Sequence, residues 1–93
     1  MIKINRPEIT EQDFAEVLKV VEQEWEKELR NKGKGIFVNS HEDLGCLEEE
    51  YQELKGEIHN NDIIRTEDEI LDMIVILVHE LASIRRREQW YIQ

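Results

Sequence analysis

Two acidic segments have the spacing that a metal site needs. Glu50 and Glu53 are three residues apart in the sequence, and so are Glu69 and Asp72. Residues three apart on a helix project from the same side, so each pair would place two carboxylates next to each other. Asp72 is the most informative of these acids, because it interrupts a run of Ile, Leu, Met and Val residues. An ionised carboxylate is costly to bury in such a setting unless it has a partner.

These acids predict a site for a hard cation if their helices pack against each other in antiparallel fashion. The carboxylates would then converge, and they would repel one another unless protonated, paired with a basic side chain or bridged by a cation. The sequence has no lysine or arginine between Glu67 and Glu80. A set of carboxylate oxygens suits Mg²⁺, Mn²⁺ or Ca²⁺ rather than zinc. Mg²⁺ fills its other positions with water and substrate phosphates, so the pattern also points to a phosphorylated ligand.

The acids have simpler interpretations as well. Glutamates on a helix face are commonly only solvated, and that interpretation is at least as good as a functional one for Glu48, Glu49 and Glu57. Glu69 taken alone would be explained as the partner of Thr66 in a capping box. Asp72 has no comparable structural explanation, so the metal-site hypothesis depends most on this residue.

Helical spacing of apolar residues predicts three helices and no strand. The first should run over about residues 11–31, with Thr10 and Asp13 as a capping box and Ile9 and Phe14 as a hydrophobic staple. The glycine-containing segment that follows should end it. Its apolar face consists of Phe14, Val17, Leu18, Val21, Trp25 and Leu29.

The second and third helices are predicted from the same capping and spacing signals. Ser40 is expected to cap the second helix, with Asp43 at the box position, and Thr66 to cap the third, with Glu69 as its box partner. The third helix is apolar nearly all round, which indicates burial on most of its faces. Three helices of one chain can hardly cover it, so a second subunit is expected to do so. With three helices and no strand pattern, the predicted fold class is all-α. We expect a small antiparallel helical bundle, three main helices per chain, completed by oligomerisation as a homodimer or homotetramer.

Length and composition limit the class of protein. The chain of 93 residues suffices for one domain, 1–93, and domains of this size are often stabilised by oligomerisation. The formal net charge of -10 repels phosphate backbones, which argues against nucleic-acid binding. A single cysteine, Cys46, excludes an internal disulfide. No signal peptide or membrane span is visible in the sequence, so no membrane partner and a cytoplasmic location are expected.

The stretch EEYQE at residues 49–53, followed by EILD at 69–72, resembles a motif of a known enzyme family. The motif is the Glu-Glu-x-x-Glu … Glu-x-x-Asp pattern of the MazG-like, all-α nucleoside triphosphate pyrophosphatases. The resemblance covers roughly residues 10–85 and includes the Ser-His-Glu entry into the second helix. It implies a hydrolase dependent on Mg²⁺, or alternatively Mn²⁺. Such an enzyme cleaves a nucleoside triphosphate between the α and β phosphates and gives the monophosphate and pyrophosphate.

The resemblance also assigns roles to individual residues. Glu49 would bind metal or orient the attacking water. The ligands of Mg²⁺ would be Glu50, Glu53, Glu69 and Asp72. Basic candidates for binding the substrate phosphates are present, although each could equally be a solvated side chain. These candidates are Lys32, Lys34, Lys55 and Arg85.

Two alternatives remain open from the sequence. Trp25, Phe37, Trp90 and Tyr91 could stack on a nucleobase, but Trp25 fits the apolar face of the first helix and is better explained as a core residue. The chain could also be a non-catalytic helical interaction module on the same scaffold, which the apolar third helix would serve equally well. The retained Asp72 argues against that second function, because a pure scaffold gains nothing from an acid at this position.

Overall fold

A computed structural model of the chain describes residues 5–33, 35–36 and 40–86. Over these residues the protein is all-α and contains no strand. The helices are α1 at Glu11–Lys32, α2 at Ser40–His59 and α3 at Ile63–Arg85. The predicted fold class is therefore confirmed. The predictions for Lys34, Phe37, Trp90 and Tyr91 lie outside the described residues.

Helix α1 begins and ends where its sequence predicts. The Thr10 side chain accepts a hydrogen bond from the Asp13 backbone N–H at 3.1 Å, and the Asp13 carboxylate accepts one from the Thr10 backbone N–H at 2.8 Å. These bonds satisfy donors that a helix start leaves unpaired. At the other end, Gly33 has a φ of 90° and donates its N–H to the Leu29 carbonyl at 2.9 Å. The capping box and the glycine stop are both confirmed.

A tight turn joins α2 to α3 and places the start of α3 earlier than predicted. Asn61 has a φ of 56°, and the Asp62 carboxylate accepts a hydrogen bond from the Arg65 backbone N–H at 3.0 Å. Asp62 is thus the N-cap, and the prediction that Thr66 caps this helix is wrong. The Thr66 N–H already donates to the Asp62 carbonyl at 2.9 Å, as a helical residue does. Glu69 consequently has no capping-box role, which removes its simplest structural explanation.

Helices α2 and α3 form an antiparallel hairpin. The side chains of Glu57 and Arg65, which lie near the turn, approach within 4.0 Å. Glu50 interacts with Glu69 further along, and Asp43 interacts with Glu80 near the open end. In these pairs the residue on α2 comes earlier in the sequence as its partner on α3 comes later. This pattern is the one that two antiparallel helices produce. Helix α1 packs on α3. This packing brings the acids of α2 and α3 together.

The apolar core within one chain is smaller than the sequence predicts. Among the described residues the buried apolar side chains are Val21 and Val75. The predicted staple of α1 stays in solvent, with Ile9 85% and Phe14 62% exposed. Residues 11–20, the first half of α1, are all exposed among the residues that the structure describes. Large apolar side chains of α3, such as Leu77 and Leu81, are exposed as well. The exposure of Leu77 and Leu81 agrees with the expectation that one chain can hardly cover α3, whereas the predicted staple of α1 is not buried among the described residues.

We expect the purified protein to be at least a dimer in solution. Exposed apolar side chains on this scale mark association surfaces. Replacing Phe14 and Leu18 together by Glu should shift the protein to monomer, because charge on both would oppose burial against a second copy. Multi-angle light scattering at micromolar concentration measures the mass, and Glu22→Gln, on the same helix, is the control. A stable monomer of the parent would refute the expectation.

Candidate metal centre

The acids singled out in α2 and α3 converge on one point. One carboxylate oxygen each from Glu50, Glu69 and Asp72 lies within 4.8 Å of the other two. All three residues are half-buried. Ligand oxygens around Mg²⁺ sit about 2.1 Å from the ion, hence roughly 3 to 4 Å apart. Side-chain shifts of about an ångström would therefore close this group, here called the acidic triad, around one cation.

More acids surround the triad than the sequence analysis identified. Glu53, predicted as a ligand, is exposed at the edge, where its charge acts on Glu50, Glu69 and Asp72. Helix α1 supplies Glu24 and Glu28, whose charges act on Asp72. Sequence analysis missed these two because no motif marks them. Their spacing of four residues, which places both on one helical face, was the available signal.

The surroundings of the triad favour protonation of its carboxyl groups. Burial, the hydrogen bond with Glu69 and the negative charges nearby raise the pKa of Glu50 to about 8. Burial also raises the pKa of Asp72, and the charges of Glu24 and Glu28 add to the effect. The pKa of Glu69 is likewise raised, chiefly by burial. Without a cation, these surroundings thus favour the neutral form of Glu50.

The triad has oxygens that a cation would satisfy. Glu50 Oε2 and Glu69 Oε2 are buried, and no described residue donates a hydrogen bond to either. A buried carboxylate oxygen without a donor costs free energy, more so when it is charged. A bound Mg²⁺ would remove both this cost and the mutual repulsion. On this observation the residues present fit a hard cation held by oxygen ligands.

One of the predicted phosphate-binding residues lies beside the triad. Lys32 is the last residue of α1, and its ammonium is 3.0 Å from Glu28 Oε2. The hydrogen bond and charge of Glu28 raise the pKa of Lys32, and the charges of Glu50 and Asp72 contribute. Lys32 is therefore a cation within electrostatic range of Glu50 and Asp72.

The other basic candidates are placed differently. The Lys55 ammonium lies over the ring of Tyr51 on its own helix, 5.6 Å from the ring centroid. Arg85 ends α3, nearly four turns beyond Asp72, which is about 20 Å at 1.5 Å per residue. The structure brings neither residue to the triad. Lys34 lies outside the described residues.

A cavity of about 370 Å³ has one member of the triad, Glu50, in its wall. Glu49 lines it next to Glu50, so the predicted catalytic carboxylate faces the space where a ligand would bind. The cavity continues past Cys46, and burial and neighbouring acids raise the pKa of this thiol. Cys46 is thus an uncharged, half-buried residue of the cavity wall rather than a fully buried one.

A second carboxyl pair lies away from the triad. Asp43 is only 2% exposed, and its Oδ1 has no hydrogen-bond partner among the described residues. Burial, the hydrogen bond with Glu80 and the charge of Glu80 raise the pKa of Asp43 to about 7. The sequence analysis assigned Asp43 only to the cap of α2, and its burial follows from the packing of α2 on α3.

The class of protein that the fold and site define is a small all-α protein with a half-buried acidic triad that fits a cation. The chain matches no protein-family model, and comparisons with curated proteins and with solved structures give no match either. Among the described residues, no helix is long and apolar enough to cross a membrane.

Proposed function

We propose that the protein is a Mg²⁺-dependent nucleoside triphosphate pyrophosphohydrolase that acts between the α and β phosphates. The observation that carries this proposal is the convergence of Glu50, Glu69 and Asp72 within 4.8 Å across two helices. These are the acids at which the sequence resembles the MazG-like motif, and they come from two segments separated by a turn. Mn²⁺ would suit the same oxygen ligands.

The residues at and around the triad would have different roles in hydrolysis. The triad and Glu53 would hold the cation, which when bound neutralises phosphate charge and acidifies water. Lys32 would leave Glu28 and bind a phosphate oxygen as substrate enters. Water attacks the α phosphorus, and the bond to the oxygen bridging the β phosphorus breaks. The Glu49 carboxylate accepts the proton of the attacking water, and pyrophosphate leaves.

The proposed enzyme works as a homodimer or homotetramer. The support is the exposed apolar surface of α1 and α3, which one chain leaves uncovered. The same surface favours a second candidate function, a non-catalytic helical interaction module. The two functions differ in one measurable respect, because only the enzyme needs the carboxylates of the triad for its activity.

A panel of nucleoside triphosphates tests the proposed activity. The protein is incubated with each ribo- and deoxyribonucleotide in millimolar Mg²⁺, and pyrophosphate and phosphate are measured separately. We expect pyrophosphate release that EDTA abolishes and that Mg²⁺ or Mn²⁺ restores. Turnover that survives EDTA, or release of phosphate in place of pyrophosphate, would exclude the proposed reaction. No turnover of any nucleotide by the oligomer would favour the interaction module.

A further inference from the structure

We propose that Trp25 is a specificity-determining residue that binds the nucleobase in the apolar part of the cavity, its indole N–H donating to an acceptor atom of the base. This inference rests on the proposed function and adds to it a recognition element outside the acidic triad. It differs from the sequence interpretation, which placed Trp25 in the core. Trp25 lines the cavity and is only half-buried.

The cavity changes character along its length. At the triad its wall is acidic, with Glu28, Glu49 and Glu50. Along α3 the wall consists of Val75, Ile76 and His79, which span just over one turn or about 6 Å. A ligand with a polyanionic end on a cation and a flat, weakly polar end matches both parts. Cavities of roughly 300 to 1,000 Å³ are the usual size of small-molecule sites.

The far part of the cavity suits an uncharged ring and would reject a phosphate. Its wall includes Leu29, Ile36 and the thiol of Cys46, and the lining also contains the carboxylate of Glu42, which would repel a phosphate. His79 closes this end, because its Nε2–H donates to the Gly35 carbonyl at 2.7 Å and holds that segment against α3. Aromatic and aliphatic walls with a few polar groups are what orient a ring in a binding pocket.

The indole N–H of Trp25 is the polar group in this wall that still needs a partner. Nε1 is buried, and no described residue accepts its hydrogen bond. Indole N–H can only donate, so a ligand must offer an acceptor, such as a carbonyl oxygen or ring nitrogen of a base. Neighbouring atoms cover Nε1 in the free protein, so the ring has to rotate as the base enters. The gain is the satisfaction of a donor that is otherwise desolvated.

The test follows the indole N–H signal by NMR. The chain has two tryptophans, and Trp90→Phe assigns the Trp25 signal. Nitrogen-15-labelled protein is titrated, in Mg²⁺, with α,β-methylene analogues of the four ribonucleoside triphosphates and with inorganic triphosphate. We expect at least one analogue to shift the Trp25 indole signal. Inorganic triphosphate should shift the amide signals around Glu50 and Asp72 and leave the indole unchanged.

Trp25→Phe removes the donor and keeps an aromatic ring. We expect the affinity for the responsive nucleotide analogue to fall roughly 3- to 10-fold, the range for one neutral hydrogen bond, with no change for inorganic triphosphate. An analogue that binds without moving the indole signal, or equal losses for both ligands, would overturn the role of Trp25 while leaving the proposed reaction standing. If nothing binds and no nucleotide is hydrolysed, this role and the proposed function fail together.

Discussion

Glu50→Gln should reduce pyrophosphate release at least about a hundredfold while the helix content stays unchanged. Gln keeps the volume of the side chain and a hydrogen-bonding group towards Glu69, but it removes the negative charge that a cation needs. A metal site contributes several kcal/mol to transition-state stabilisation, and about 2.7 kcal/mol corresponds to a hundredfold in rate. Asp72→Asn should have the same effect, because its oxygen belongs to the same acidic triad.

The matched control for this experiment is Glu48→Gln. Glu48 lies on the same helix two residues before Glu50, is exposed and is outside the triad. Its replacement should leave the rate within about twofold of the parent, as is usual for surface changes. Glu67→Gln is the corresponding control for Asp72→Asn on α3. Circular dichroism reports whether each variant folds. A folded Glu50→Gln variant with parental activity would show that the triad is not the catalytic site.

Mg²⁺ should stabilise the parent protein, and it should do so most strongly at high pH. Glu50, with a pKa raised to about 8, binds a proton in the folded state that it loses above its ordinary pKa of 4.5 when unfolded. The folded protein therefore holds more protons between these values, and the free energy of unfolding of the metal-free protein falls as pH rises from about 5 to 8. A cation that binds only the folded state counteracts this fall.

Asp72→Asn should raise the free energy of unfolding of the metal-free protein by about 1 kcal/mol at pH 8, because it removes one of the repelling charges. For a domain of this size that corresponds to roughly 4 to 8 °C in Tm. The same variant should lose most of the stabilisation by Mg²⁺. Thermal melts of both proteins at pH 5.5 and 8, in EDTA and in millimolar Mg²⁺, measure all of these effects.

The variant Asp43→Asn distinguishes the effect of the Asp43–Glu80 pair on stability from the effect of the triad. The pKa of Asp43 is raised to about 7, so this pair also makes stability fall with rising pH. Asp43→Asn should flatten part of that dependence and keep the full response to Mg²⁺, since Asp43 is outside the triad. If Mg²⁺ does not move the melting temperature of the parent, and Asp72→Asn simply lowers it, Asp72 is a structural residue and no cation site exists there.

The local features of this chain could be predicted from its sequence. The start of α1 follows from Thr10 and Asp13, and its end follows from Gly33, because caps depend on residues adjacent in the chain. The membership of Glu50, Glu69 and Asp72 in one cluster was also predictable. Helical periodicity places such acids on one face, and a short connection makes α2 and α3 antiparallel neighbours. The start of α3 was misplaced because Asp62 and Thr66 are both good caps, and only the tight turn at Asn61 selects the first.

Only the tertiary structure decided what α1 contributes to the site. Glu24, Trp25 and Glu28 carry no motif, and their approach to Asp72 and to the cavity depends on how α1 lies on α3. That placement is a relation between segments distant in sequence, which no local spacing encodes. For the same reason the sequence determined which helix faces are apolar but not which of them stay exposed. Burial depends on which other helices lie alongside, and the first half of α1 is exposed throughout among the described residues.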